Sequence, residues 1–270
     1  MIRHPRSIFL TVLLALAFAG VISGAMAAEP ALRVYAAGSL KGFLDEATAV
    51  FTAREGLPVK VTFGPAGLLR QRLQAGETAD LFASADMAQP QALAEAGLAD
   101  APALFARSGV CALVRSGLAM TPDNFLDTLL RDDVRLGTST PGADPGGDYA
   151  WALFHRADSL RPGSFAHLDG KAMKLVGGPI APEPPAGRPL WAYLMEQADV
   201  FLLYCNTAQS AARQVPGATI IHPPAELAVI PQYGISILTQ GDHQQAERFL
   251  AFLASPEAGA LLVKWGFTLP

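Results

Sequence analysis

Apolar residues fill almost every position from Ile8 to Ile22, and no later run reaches that length. From Leu32 onward the pattern changes to short apolar strands alternating with amphipathic helices. Residues 32–36 (LRVYA) predict a strand that ends in Ala37-Gly38-Ser39. Ser39 reads as an N-cap, because Leu40, Phe43, Leu44, Ala47, Val50 and Phe51 follow at helical spacing up to the stop at Gly56. Residues 58–63 alternate like a strand, Gly64-Pro65-Ala66-Gly67 is a turn, and 68–75 predict a helix closed by Gly76. A third strand, 80–83, and a third helix, 87–96, complete the series. Three strand–loop–helix units in succession imply a parallel sheet covered by helices, an α/β fold.

The second half follows the scheme less regularly. Strands are predicted at 109–115, 134–137, 173–176, 200–204, 218–221 and 233–238. Helices are predicted at 122–130 behind Thr121, at 148–157 and at 188–197. Two more, 243–254 and 257–265, are split by Ser255-Pro256. The stretch 138–147 reads as a polar loop. The stretch 177–187 must be irregular, since its four prolines prevent a helix or a central strand.

The leading apolar run is preceded by Arg3 and Arg6 and followed by Ala25-Met26-Ala27, the three-part pattern of a secretory signal with cleavage after residue 27. The run is short for a membrane span, and no Cys follows it to carry a lipid anchor. It also accounts for much of the mean hydropathy of +0.27. Removal takes away two arginines and no acid, so the net charge moves from −4 to −6. Export to a periplasm is the expectation. A chain of 270 residues with 51% hydrophobic and 16% charged residues is no disordered tail, and its acidic balance gives no footprint for nucleic acid. Cys111 and Cys205 are too few for a four-thiolate zinc site; they read either as a disulfide, which export permits, or as buried thiols.

Candidate chemistry lies where strands end in Gly- or hydroxyl-rich turns before helices: at 36–39, at 64–67 and from Thr138-Ser139-Thr140 to Pro145-Gly146-Gly147. Such turns expose backbone N–H groups that attract anions, and several aimed at one cleft hold a small oxyanion without Arg or Lys. Taken singly, each Ser or Gly is equally a plain helix cap. Tyr204 ends an apolar strand, where its ring belongs to the core and its hydroxyl to the rim. Asp86 reads as a helix cap and Asp80 as a strand-edge residue, while Arg70 and Arg72 read as a solvated face. The His residues show no H-E-x-x-H spacing, and neither a G-x-S-x-G elbow nor a P-loop occurs. No cofactor and no direct cation ligand is expected.

Three segments, Val34-Tyr-Ala-Ala-Gly-Ser-Leu40, Val61-Thr-Phe-Gly-Pro-Ala-Gly67 and Ala79-Asp-Leu-Phe-Ala-Ser-Ala-Asp86, together resemble the periplasmic molybdate-binding proteins of ABC importers. Weaker likeness runs through Pro145-Gly-Gly-Asp-Tyr-Ala150, Ala198-Asp-Val-Phe-Leu-Leu-Tyr204 and the C-terminal helices. The resemblance implies a type II periplasmic binding protein: two α/β lobes, each a mainly parallel sheet flanked by helices, with the ligand between them. It places the signal peptide at 1–27, the first lobe at 28–108, the second at 109–232 and a return to the first at 233–270. It implies a monomer that binds a tetrahedral oxyanion, molybdate or tungstate, and delivers it to a membrane permease without catalysis. Ser39 and Tyr204 match the family's hydroxyl donors, and Gly146 a backbone N–H donor. Ala66 stands where the family usually has serine, so the turn at Ala66-Gly67 lacks one donor, for which Thr140 and Ser84 are candidate substitutes. A second departure is an insertion at about 156–185. Two alternatives stay open: a binder of another small anion, and an exported hydrolase with Ser39 as nucleophile.

Overall fold

The computed structural model describes residues 1–2 and 30–270, so the expected signal peptide lies outside the described residues. In chain order the first lobe begins with β1 (Leu32–Ala37), α1 (Lys41–Glu55), β2 (Val59–Gly64), α2 (Ala66–Gln74), β3 (Leu81–Ser84), α3 (Ala88–Glu95) and β4 (Ala103–Arg107). The second lobe follows with β5 (Val110–Val114), α4 (Phe125–Leu130), β6 (Leu136–Ser139), α5 (Pro145–Leu160), α6 (Ser164–Lys171) and β7 (Met173–Val176). It continues through α7 (Leu190–Gln197), β8 (Val200–Tyr204), α8 (Cys205–Ala212) and β9 (Thr219–Ile221). The chain then returns with β10 (Gln232–Ile237), α9 (His243–Leu253) and α10 (Pro256–Lys264).

These strands form two five-stranded sheets, ordered β2-β1-β3-β10-β4 and β7-β6-β8-β5-β9. In each, three strands pair in parallel, while the strand arriving from the other lobe runs against both neighbours. The reason is geometric. The parallel strands of a lobe end at the cleft, whereas β5 and β10 enter across the hinge and therefore start there. Val110 accordingly faces Tyr204, and Gly234 faces Ser84.

Both sheets are pinned at the end away from the cleft by the same device. Asp80 accepts from the Arg33 backbone N–H at 2.6 Å and from its guanidinium at 3.0 Å. Asp199 accepts from the Arg135 backbone N–H at 2.8 Å and from its guanidinium at 2.8 Å. The first-lobe core is aromatic: Phe51 packs on Phe249 and Phe252 at 5.0 and 5.5 Å between ring centroids, which docks the returning α9 on α1. The second lobe buries Phe125, Phe154 and Leu153 on one face of its sheet and Phe201, Leu194 and Cys111 on the other. Cys111 and Cys205 form a disulfide with Cα atoms 4.9 Å apart.

Several sequence expectations change. Ser39 is no N-cap: it lies inside a 3-10 turn, Gly38–Leu40, that leads into α1, and neither element has a side-chain cap. Pro145-Gly146-Gly147 belongs to the first turn of α5 rather than to the loop, because Pro at the first helical position is pre-set for helix. Thr121 is not the cap of α4, which starts later, after Asn124. β4, α6 and α8 had no counterpart in the hydrophobic pattern.

Candidate functional site

The ends of β1, β2, β3, β6 and β8 meet at the boundary between the lobes. The lobes touch there. Asn206 Nδ2, at the start of α8, donates to the Ser39 carbonyl at 2.8 Å, and the Ser108 hydroxyl in the hinge donates to Asn206 Oδ1 at 2.9 Å. A Cβ placed on Gly67 would stand 2.7 Å from the Ala143 carbonyl oxygen and 3.0 Å from that of Gly142, so residue 67 approaches the opposite lobe as only glycine can.

Two hydroxyls remain available at this boundary. Tyr233 Oη of β10 donates to Ser39 Oγ at 3.2 Å, which leaves the Ser39 proton free to be donated elsewhere. Tyr204 is 6% exposed, and its Oη makes no hydrogen bond among the described residues. Its ring is held between Tyr233 and Tyr149, with centroids 5.6 and 6.2 Å away. Burial raises the Tyr204 and Tyr233 phenols well above their ordinary range and pushes Tyr149 up to about 12, so all three stay protonated and can donate.

Two helix starts add backbone donors. Pro65 precedes α2 and offers no N–H, so Ala66 and Gly67 carry the first free ones. Ala66 is fully buried and contributes only a methyl group where the resemblance implies a hydroxyl. In α5, Pro145 has no N–H and that of Gly147 goes to the Asp144 carbonyl at 2.9 Å, which leaves Gly146, whose N–H faces the Asp144 carboxyl. The substitutes considered for the missing serine are engaged. Thr140 donates to the Val176 carbonyl at 2.8 Å, and Ser84 to Asp86 Oδ1 at 2.9 Å. The structure thus groups Ser39, Ala66, Gly67, Gly146 and Tyr204 around the boundary but turns the Thr140 hydroxyl toward β7.

Sequence reading missed three participants, Tyr233, Asn206 and Asp144, and took a fourth, Asp86, for a helix cap. Asn206 fixes Ser39 from the other side of the hinge, and Tyr233 fixes it from within the first lobe. Asp144 is half-buried with the Ser139 hydroxyl donating to it at 2.5 Å, and burial pushes its carboxyl up to about 6 against the opposing pull of Ser139 and the Gly146 N–H. Asp86 is also raised by burial, although the Gln89 N–H and Ser84 hydroxyl bond to it. A cavity of about 530 Å³ opens beside this group, lined by Asp86, Met87, Gln89, Asp148, Tyr149 and Gln232.

Two lobes of one topology, joined by a hinge crossed twice and closing on a polar cleft, define a solute-binding protein. Residues 32–268 match the bacterial extracellular solute-binding protein family, and the chain belongs to that family. It is a binding protein, not an enzyme. The Pasteurella multocida (strain Pm70) protein PM1146 is 36% identical over 211 residues, which cover 77% of this chain and 87% of that protein. The molybdate-binding protein ModA of Mycobacterium tuberculosis (strain ATCC 25618 / H37Rv) is 27% identical over 240 residues, 88% of this chain and 84% of ModA. Among solved structures, the Azotobacter vinelandii periplasmic molybdate-binding protein superimposes with a TM-score of 0.71 at 20% identity, covering 88% of this chain and 99% of that one. The sulfate-binding protein SubI of M. tuberculosis H37Rv does so with a TM-score of 0.71 at 20% identity, covering 88% and 86%.

Proposed function

We propose that this protein works in the periplasm, where it captures a small tetrahedral oxyanion, molybdate foremost, and delivers it to the membrane permease of an ABC importer. The observation that carries the reading is the Tyr204 hydroxyl, buried at the lobe boundary without a protein partner. An unsatisfied buried hydroxyl costs about 1–3 kcal/mol, and an anion oxygen offsets that cost. The Ser39 hydroxyl and the N–H groups of Ala66, Gly67 and Gly146 supply further donors from both lobes, so the bound anion favours the closed form over the open one. These groups hold oxygen atoms, not a metal cation. The resemblance to ModA favours molybdate, and the buried methyl of Ala66 keeps a second small anion, such as sulfate, as the alternative.

The test is calorimetry of ligand-stripped protein with molybdate, tungstate, sulfate and phosphate, beside Tyr204→Phe. We expect one of these anions to bind one-to-one, and the phenylalanine variant to lose about ten- to hundredfold in affinity while gaining stability unliganded. Absence of heat with all four, or equal affinity in the variant, refutes the reading.

A further inference from the structure

The second lobe brings to the cleft a carboxyl group that anion binding by hydroxyls and N–H groups does not use. Asp144 precedes α5, and its side chain is enclosed by Ser139, Gly146 and Gly177. At the point where a side chain on Gly146 would begin, Asp144 Oδ2 lies 2.9 Å away and Tyr204 Cε2 3.3 Å. The carboxyl group and the ligand phenol therefore border one small volume, beside the Gly146 N–H. The charged and titratable groups that face Asp144 are Asp86 from the first lobe, Asp148 from α5, Tyr204 from β8 and Tyr233 from β10. None is a cation. Lys174 of β7 lies instead over the Trp151 ring, 5.4 Å from its centroid.

An oxyanion seated on Tyr204, in the volume that the Gly146 N–H and the Asp144 carboxyl border, sets negative charge against this carboxylate, and like charges in one poorly solvated site do not both stay ionised. Resting on the oxyanion reading above, we propose that the cleft takes up its anion together with one proton, held between Asp144 and the anion. With a fully deprotonated anion such as molybdate, the proton comes from solvent and resides on the Asp144 carboxyl, whose O–H donates to the ligand. With hydrogen phosphate the ligand brings its own proton, and Asp144 stays ionised as the acceptor. Only an O–H bond is made or broken. Burial pushes the unliganded carboxyl up to about 6, so well above that pH it starts ionised and the proton must be collected on binding.

Calorimetry with molybdate at pH 8, in two buffers of different ionisation enthalpy, counts the protons. Uptake approaching one proton per anion is expected, with molybdate affinity falling about fiftyfold from pH 6 to pH 8. In Asp144→Asn both the uptake and the pH dependence should vanish. If phosphate alone binds, it should do so without uptake and lose at least tenfold in Asp144→Asn. Molybdate binding with no uptake and a flat profile overturns the proposal, as does an unchanged pH slope, or an undiminished phosphate affinity, in the variant. The proton count and profile of the parent protein stand even where the variant fails to fold. Failure of every anion to bind refutes the oxyanion reading and this proposal together, whereas binding without a proton refutes this proposal alone.

Discussion

The two lobes repeat one plan and diverge at one end of it. Numbered from its own first strand, each sheet has the order second, first, third, incoming strand, fourth. Each is tied far from the cleft by an Arg–Asp pair in which one carboxylate takes both a backbone N–H and a guanidinium. At the cleft the likeness stops. The first lobe presents small groups: the Ser39 hydroxyl and the N–H groups of Ala66 and Gly67. The second presents a phenol without a partner among the described residues, a half-buried carboxyl group and, just behind Tyr204, a disulfide. Topology is thus held by the distal pair in both lobes, while the second lobe carries the buried phenol that has no partner among the described residues.

The disulfide offers the largest test of that asymmetry. It spans 94 residues, and removing such a crosslink costs about 4.7 kcal/mol in the chain-entropy account. Cys111→Ser with Cys205→Ser should lower urea stability by about that much, and hydrogen exchange should show the second lobe losing protection first. Equal loss in both lobes would mean that they unfold as one unit.

Next come the paired carboxylates. Asp80→Ala strands the Arg33 N–H and that of Asp242, which also donates to Asp80; Asp199→Ala strands the Arg135 N–H and two guanidinium groups, since Arg115 also pairs with Asp199 at 2.6 Å. Each variant should cost about 3 kcal/mol in urea unfolding. A clear disparity between the two would break the equivalence of the lobes. Asp199 is held below the usual carboxylate range by the Arg135 guanidinium, and Asp80, despite the opposing cost of burial, by Arg33. A depressed carboxyl stabilises the fold above its unfolded pKa and loses that effect as pH falls through the folded one, so both contributions should fade only below about pH 4.

The smallest effect belongs to Ala66→Ser. A hydroxyl restored at the α2 start should tighten molybdate binding by about tenfold. A loss of affinity for the true ligand would show instead that the first-lobe wall was rebuilt around a methyl group. Titrating parent and variant side by side decides between them.

The strand–turn–helix rhythm of residues 32–96 is plain in the sequence because each unit begins with a short run of apolar or alternating residues and its helix ends at a glycine. β4 is not, since its residues are half-exposed and show no alternation. α8 escaped for the opposite reason: CNTAQSAA buries small side chains rather than an apolar stripe. In the site, Ser39 and Tyr204 were legible as residues at strand ends. Asp144 was not, because an Asp beside Pro in a polar loop reads as a solvated turn. Its burial depends on a distant residue. A Cβ on Gly177 would lie 2.8 Å from the Asp144 Cβ, so the enclosing wall exists only because the loop after β7 supplies glycine there.

Gly67 turns the boundary into a mechanical stop. Its own backbone conformation permits a side chain, since it sits in the first turn of α2 without a positive φ. The obstacle is the backbone of Gly142 and Ala143 across the cleft. Bulk at this position therefore acts on the dwell time of the cargo. Under the oxyanion reading, Gly67→Ala is expected to hold the lobes apart by the width of a methyl group and so to raise the ligand dissociation rate, which stopped-flow measurement of parent and variant checks.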